Sequence, residues 1–451
     1  GVHRQVSAPG GSEGGGMSYI DFLETKLAAA PIEGHEHTES DVHDFLYPWQ
    51  KEIVTWATKV GRAAIWADTG LGKTVMMLEW ARLTGSTALI VAPLAVCQQT
   101  SREAKNRLGI NAPYVRDQSD VTGPGIWITS YEMIEHFDPS QLDAVALDEA
   151  SILKNSSGKT RDMMIAHFQS VPFRLACTAT PAPNDPEELT NQAEFLGQST
   201  RTMMLAAYFV HDADGWRLKG HARRPMIEWM ATWALAIRKP SDLGHDDTGY
   251  NLPGLPLAGH IIEANIETEG QLFSTELGGV SGRAQVRKKT LDDRCQAAAD
   301  LVHASDPNEP WILWAGLNDE ANELARLIPG AINVHGSLTP EQKADFLLGF
   351  ADGDFRVLIT KPGIASQGLN YQHCARMAFV GLSDSYESYY QAIRRCYRFG
   401  QKRIVEAHVI VSDLESQIVT NVERKEKQAQ TLTSELVAEM RRVREIGRTA
   451  A

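Results

Sequence analysis

From Ala63 onward the chain alternates short apolar runs with longer amphipathic stretches. Ala63–Trp66, Ala88–Val91, Gly125–Thr129, Ala144–Leu147 and Arg174–Cys177 are too short for helices and rich in Ile, Val, Leu and Ala. Runs of this kind between helical patterns predict strands buried on both faces, as in a parallel sheet of strand–helix–strand units. The alternation lapses over 201–256, where Trp216, Trp229 and Trp233 stand at helical spacings among basic residues, and Leu252-Pro253-Gly254-Leu255-Pro256 ends the stretch as a linker. It resumes with Trp311–Trp314, Ala331–Val334, Val357–Thr360, Met377–Val380 and Val405–Val411. From Leu414 to Arg448 the sequence is charged, free of proline and apolar at every third or fourth position, which predicts a long helix or helix pair. The economical reading is two α/β lobes in tandem, 17–200 and 257–412, with a helical insertion and linker over 201–256 and a helical extension over 413–451. Residues 1–16 are rich in Gly and Ser without an apolar core and read as a leader before a native start at Met17. No repeat of solenoid period is visible.

Composition narrows the function classes. With 451 residues, 43% of them hydrophobic, the chain can bury more than one core, and disorder and small disulfide scaffolds are excluded. A formal charge of −13 opposes any arrangement in which the whole surface coats nucleic acid or anionic membrane, while leaving room for a local basic groove. The five cysteines, Cys97, Cys177, Cys295, Cys374 and Cys396, are scattered and never paired as Cys-x-x-Cys, which argues for a reducing, cytoplasmic setting and against a zinc site. No apolar run approaches the roughly 18 residues of a spanning helix, so no membrane partner is expected.

The strongest chemical signal is Ala67-Asp68-Thr69-Gly70-Leu71-Gly72-Lys73-Thr74, between an apolar strand and a helical run. A glycine-rich turn at a helix N-terminus aims backbone N–H groups at phosphate oxygens; Lys73 suits β and γ phosphates, and Thr74 suits Mg²⁺. The similar Ser157-Gly158-Lys159-Thr160 follows a polar loop instead of a strand and reads as solvated. A P-loop needs a carboxylate for the metal and a group that orients water, and Asp148-Glu149 supplies both at the end of Ala144–Leu147.

With these residues in place the chain resembles the superfamily two helicases, in their Swi/Snf-type double-stranded DNA translocase branch, from about Phe45 to about Ser412. The resemblance implies two RecA-like P-loop lobes, ATP with Mg²⁺, and duplex DNA as partner. Leu46-Tyr47-Pro48-Trp49-Gln50 resembles the adenine-reading Q motif, with Gln50 as its amide. Thr69, Gly70, Leu71, Gly72, Lys73 and Thr74 become the nucleotide cradle, and Asp148-Glu149-Ala150-Ser151 with Leu153-Lys154-Asn155 resembles the DEAH box and its tail. Thr178-Ala179-Thr180-Pro181 resembles motif III, which couples nucleotide state to DNA grip, through Thr178 and Thr180. Ser151 stands where the family usually has His; a hydroxyl is shorter and cannot carry an imidazolium charge, which bears on coupling and not on hydrolysis. Pro93, Thr129 and Ser130 fall in motifs that face DNA. In the second half, His335-Gly336-Ser337, and Thr360-Lys361-Pro362-Gly363 on to Gly368, resemble motifs that meet DNA backbone or nucleotide.

Gln391-Ala392-Ile393-Arg394-Arg395-Cys396-Tyr397-Arg398-Phe399-Gly400-Gln401 resembles motif VI. On a helix Gln391, Arg395 and Arg398 share one face and Arg394 points about 100° away. Arg395 and Arg398 then form a fork for γ-phosphate charge, an arginine-finger role. Arg283, Arg287, Lys288 and Lys289 are a candidate DNA track, Arg223-Arg224 and Arg238-Lys239 lie where the family places protrusions, and the three tryptophans read as core of the insertion. The expectation is an ATP-driven translocase on double-stranded DNA of the compact bacterial or phage kind. Its alternatives are a strand-separating helicase, or a motor or clamp subunit serving a nuclease or a replication or recombination protein in trans.

Overall fold

The computed structural model describes residues 31–154, 158–213, 215–263, 287–365, 370–382, 385–413 and 416–449; the expected leader 1–16 and Asn155, Ser157, Arg283 and Gly368 lie outside these. Every apolar run named above forms a strand. In the first half these are β1 (Arg62–Ala67), β2 (Thr87–Ala92), β3 (Gly125–Ser130), β4 (Ala144–Asp148) and β5 (Phe173–Thr178). All pair in parallel, in the order β3-β2-β4-β5-β1, and β4 is buried along its whole length. Helices cover both faces, so the strands need no polar side, which is why they read as continuous apolar runs.

The stretch 201–256 is mixed, contrary to its expected helical character. Helices Arg201–Tyr208 and Arg223–Met230 flank an antiparallel hairpin of β6 (Phe209–Asp212) and β7 (Gly215–Leu218). β8 (Ala234–Ile237) then joins the first sheet as a parallel neighbour of β1. A four-residue strand straight after a Trp-bearing helix leaves no change of period to detect. Trp233 is fully buried and Trp229 nearly so, as expected of core, but Trp216 is 37% exposed on the hairpin.

The second sheet has the order β11-β12-β10-β13-β14-β9, from β9 (Leu257–Ile262), β10 (Trp311–Ala315), β11 (Ile332–Val334), β12 (Val357–Thr360), β13 (Arg376–Val380) and β14 (Glu406–Ser412). All its pairings are parallel. The edge strand β9 was not anticipated, because its residues alternate between exposed and half-buried and form no apolar run. The expected long helix runs from Ser416 to Thr449. It spans the molecule: Ile418 and Val422 belong to the second lobe's core, while Leu432, Leu436, Val437 and Met440 complete the first lobe's core against β8.

Candidate functional site

In open parallel sheets, ligands bind beyond the carboxyl ends of the strands. Here the P-loop leaves β1, Asp148 ends β4 and Thr178 ends β5, and the order β4-β5-β1 sets Thr178 between the acidic pair and the phosphate loop. Gly70 and Gly72 have φ of +88° and +77°, a region L side chains rarely adopt, and a Cβ on Gly72 would lie 2.5 Å from the Gln50 amide nitrogen. Asp68 accepts a hydrogen bond from the Thr69 N–H at 2.6 Å, and Lys73, at the start of the helix Lys73–Thr84, donates to the Ala67 carbonyl at 2.9 Å.

The acidic pair is held tightly. Tyr131 donates its hydroxyl to the Asp148 carbonyl. Burial, and then the charge of Glu149, push the Asp148 carboxyl up to about 7, with Lys73 opposing. Glu149 has a φ of 60°, and it is the one non-glycine residue in the left-handed region among the described residues. Its Oε2 accepts from the Thr178 hydroxyl at 3.5 Å, whose oxygen accepts from the Thr180 N–H at 3.1 Å. A backbone strained in this way is characteristic of a residue whose position matters more than its cost.

From the second lobe the helix Tyr386–Ile393 points at this site. It ends at Ile393, so the expected helical register through Arg398 does not hold; a turn carries Arg394 to Gly400. Even so, Gln391, Arg395 and Arg398 line one cavity of about 800 Å³ with Thr69, Gly70, Gly72, Lys73, Thr74, Asp148, Glu149 and Ser151. Burial lowers the Arg395 pKa, with Glu149 the largest opposing charge, and lowers that of Arg398 to about 10, helped by the charge of Arg395. Arg398 donates to Asn370, and its Nε is buried without a partner. Lys154 and Glu387 form an ion pair across the cleft.

Several expected residues play other parts here. Gln50 is buried with both ends engaged, accepting from the Tyr47 N–H at 2.9 Å and donating to the Leu71 carbonyl at 3.0 Å; in this conformation it braces the P-loop, and its amide is not offered to a base. Leu71 meets the site only through that carbonyl, since its side chain is core. Ser151 is buried at the cavity wall, and the link from Glu149 runs through Thr178 instead. Thr180 lines a second cavity, of about 310 Å³, on the other side of the helix Tyr386–Ile393. Arg394 lines that cavity too and is no bystander, since it pairs with Asp68 of the P-loop at 2.8 Å.

The expected DNA contacts divide. Thr129 and Thr360 are fully buried and donate to the Val115 and Val334 carbonyls, which removes their hydroxyls as DNA contacts in this conformation. Ser130 is buried with a hydroxyl that has no partner. Pro93 caps the helix Leu94–Leu108 and lines the nucleotide-sized cavity. His335, Gly336, Ser337 and Lys361 gather around a third cavity of about 260 Å³, with Gly336 and Ser337 exposed. Arg287 is corrected from a DNA track to structure, for with Arg294 it closes on the fully buried Glu320. Arg223, Arg238 and Lys239 are engaged with Glu435, Asp242 and Asp247. Lys159 and Thr160 are exposed at a helix start, as solvated residues would be.

Sequence reasoning missed Tyr250 and Phe399. Their rings lie 4.6 Å apart, tilted by 32°, and Phe399 lies against Gly70, where a Cβ would meet it at 3.0 Å. Phe399 lay inside a recognised motif; nothing in the linker marked Tyr250. Phe45, 45% exposed with Arg107 5.4 Å from its centroid, also lines the cavity and carried no local signal.

Known proteins bear on this geometry. The SNF2-related domain family matches residues 49–204, and the helicase conserved C-terminal domain family matches residues 300–400. The chain is 26% identical over 201 residues to the DNA annealing helicase and endonuclease ZRANB3 of Bos taurus, a stretch that covers 39% of this chain and 17% of that protein. The matched stretch is thus about a sixth of the curated relative. Among solved structures, the Sulfolobus solfataricus SWI2/SNF2 ATPase core in complex with dsDNA is 16% identical, with 90% of this chain and 97% of that chain covered at a TM-score of 0.44. Among the described residues no helix is long and apolar enough to cross a membrane.

Proposed function

The chain belongs to the Snf2-type branch of the superfamily two helicases and is a DNA-stimulated ATPase of that class, and from that premise we propose that it is a motor that tracks along double-stranded DNA. The observation that carries the reading is the divided site, with P-loop and acidic pair on one lobe and two half-buried arginines on the other, facing one cavity. Neither lobe holds the full set, so hydrolysis is tied to closure, and closure and reopening are the stroke.

The residues fit a magnesium nucleotide. Gly70 and Gly72 give the loop its left-handed turns, Arg398 keeps a buried donor without a partner, and the carboxyl of Asp148 is raised by burial and then by the charge of Glu149, which a divalent cation would offset. Thr74 and Asp148 would hold Mg²⁺, which when bound screens the phosphate charge and polarises the γ-phosphoryl group. Lys73 exchanges its bond to the Ala67 carbonyl for β and γ phosphate oxygens. Glu149 orients the attacking water and accepts its proton, and Thr178 senses which state Glu149 is in. Arg395 and Arg398 stabilise the charge that develops in the transition state. His335, Gly336, Ser337 and Lys361 meet phosphate backbone.

The test is a comparison of substrates. ATP turnover should be stimulated more by duplex than by single strands, and the protein should displace a third strand from a triplex while leaving a simple fork paired. Fork unwinding at a rate comparable to triplex displacement would overturn the reading.

One observation favours strand separation as a second reading. The β6–β7 hairpin packs beside the turn Pro186–Glu188 that follows motif III, and it presents Trp216 with His211 edge-on at 4.9 Å. An exposed indole on a hairpin can stack on an unpaired base. Under this reading Trp216→Ala abolishes fork unwinding and spares duplex-stimulated turnover; under the tracking reading there is no unwinding to lose.

A further inference from the structure

Arg394 and Arg395 are consecutive residues that face different cavities, one on each side of the finger helix. Arg394 reaches across to the first lobe. Its Nη2 donates to Asp68 Oδ2 at 2.8 Å, and Tyr390, one turn earlier, donates its hydroxyl to Asp68 Oδ1. The same Oδ1 accepts the Thr69 N–H at 2.6 Å, so the carboxylate is bonded at once to the phosphate loop and to the second lobe. The guanidinium stands 5.0 Å from the Tyr390 ring centroid and 5.4 Å from that of Tyr397, which fixes its plane.

Both side chains of the ion pair are less than a fifth exposed, 17% and 18%. Removal from water offsets much of the attraction in such a pair, so its contribution to stability is small and its geometric effect is large. A second ion pair, Lys154 with Glu387, anchors the same helix one turn before Tyr390. Glu387 and Tyr390 on the helix Tyr386–Ile393, and Arg394 just past its end, thus form one seam, all three bonded to the first lobe.

We propose that Arg394 is a positioning residue for hydrolysis: by pairing with Asp68 across the lobes it sets where Arg395 and Arg398 meet the phosphate site and links lobe closure to the shape of the P-loop. The proposal rests on the ATPase reading above. Because Arg395 follows Arg394 directly, a shift of one guanidinium off Asp68 turns the next residue out of the nucleotide cavity. Arg394 itself touches neither the phosphates nor water at the reacting centre, and its effect falls on turnover.

The experiment is a double-mutant cycle of Arg394→Gln and Asp68→Asn, read by duplex-stimulated kcat, KM for ATP, binding of a fluorescent ATP analogue and thermal unfolding. Each single variant should lose about ten- to a hundredfold in kcat, with KM and analogue affinity within about threefold of wild type. The double variant should lose no more than the worse single, and Arg394→Lys, which keeps the charge, should recover part of the loss. Independent, multiplicative losses, or turnover within about twofold of wild type in the folded single variants, would overturn the proposal. Should either variant fail to fold, Tyr390→Phe decides, since it removes one hydroxyl: a drop of several-fold in kcat at unchanged KM supports the seam, and unchanged kcat refutes it. A wild-type protein without duplex-stimulated turnover would instead refute the underlying ATPase reading.

Discussion

Glu149 combines a left-handed backbone with the proposed role of water-orienting base, and the two can be separated by substitution. Glu149→Gln keeps the size and loses the charge, so ATP should still bind in an equilibrium assay while turnover falls about 10²- to 10⁴-fold. Glu149→Asn should be as inactive and yet melt at the same or a higher temperature. Asn tolerates this region, where an ordinary L residue carries about 1–2 kcal/mol of strain. Lys73→Ala should abolish hydrolysis, since the loop loses its one charged phosphate partner, and Arg398→Ala should depress kcat with little change in nucleotide affinity. The P-loop and acidic pair were legible because their chemistry is local: one turn, one strand end, a few consecutive residues. Arg394 was not legible in the same way, since its partner lies 326 residues away and only the folded chain brings the two together. The same holds for Thr129, whose hydroxyl is taken by Val115, a neighbour that no motif mentions.

At the scale of elements, apolar runs betrayed the strands buried on both faces; β8 escaped because its apolar run follows a Trp-bearing helix with no change of period to mark it, and edge strand β9 because it has no such run. The helix Ser416–Thr449 was legible as a helix, but its role in the first lobe's core was not, because amphipathic spacing does not say which surface the apolar face meets. Leu436 on that helix is fully buried, so Leu436→Ala should cost about 2–5 kcal/mol and lower the unfolding midpoint of the first lobe, measurable by calorimetry. At the edge of the second sheet, His408 on β14 meets His260 on β9 at 2.9 Å, beside Trp311 and near Arg376. Burial, and then the charges of His260 and Arg376, depress the His408 pKa from 6.5 to about 4. The unfolded chain therefore binds a proton between these values that the folded chain does not, and stability falls as pH drops through the window. Replacing His408 by Leu should shrink the loss of melting temperature between about pH 7.5 and pH 5.

For the whole molecule, a formal charge of −13 means that the proposed duplex binding must be carried by a small local surface against a repulsive background. Duplex stimulation of turnover should weaken steeply as salt rises, through loss of counterion release, while basal turnover changes little; equal salt sensitivity of both would argue against phosphate-backbone contacts. The helix Ser416–Thr449 also sets a timetable for synthesis. Met440 accepts the Ala236 N–H at 3.1 Å across 204 residues of sequence, so the first lobe's core stays open on one side after β8 has emerged. At ribosomal speeds of about 5–20 residues per second that interval lasts about 10–40 s. During it β8 faces solvent or a chaperone, so the nascent chain should be most prone to aggregation and proteolysis just before this helix is made.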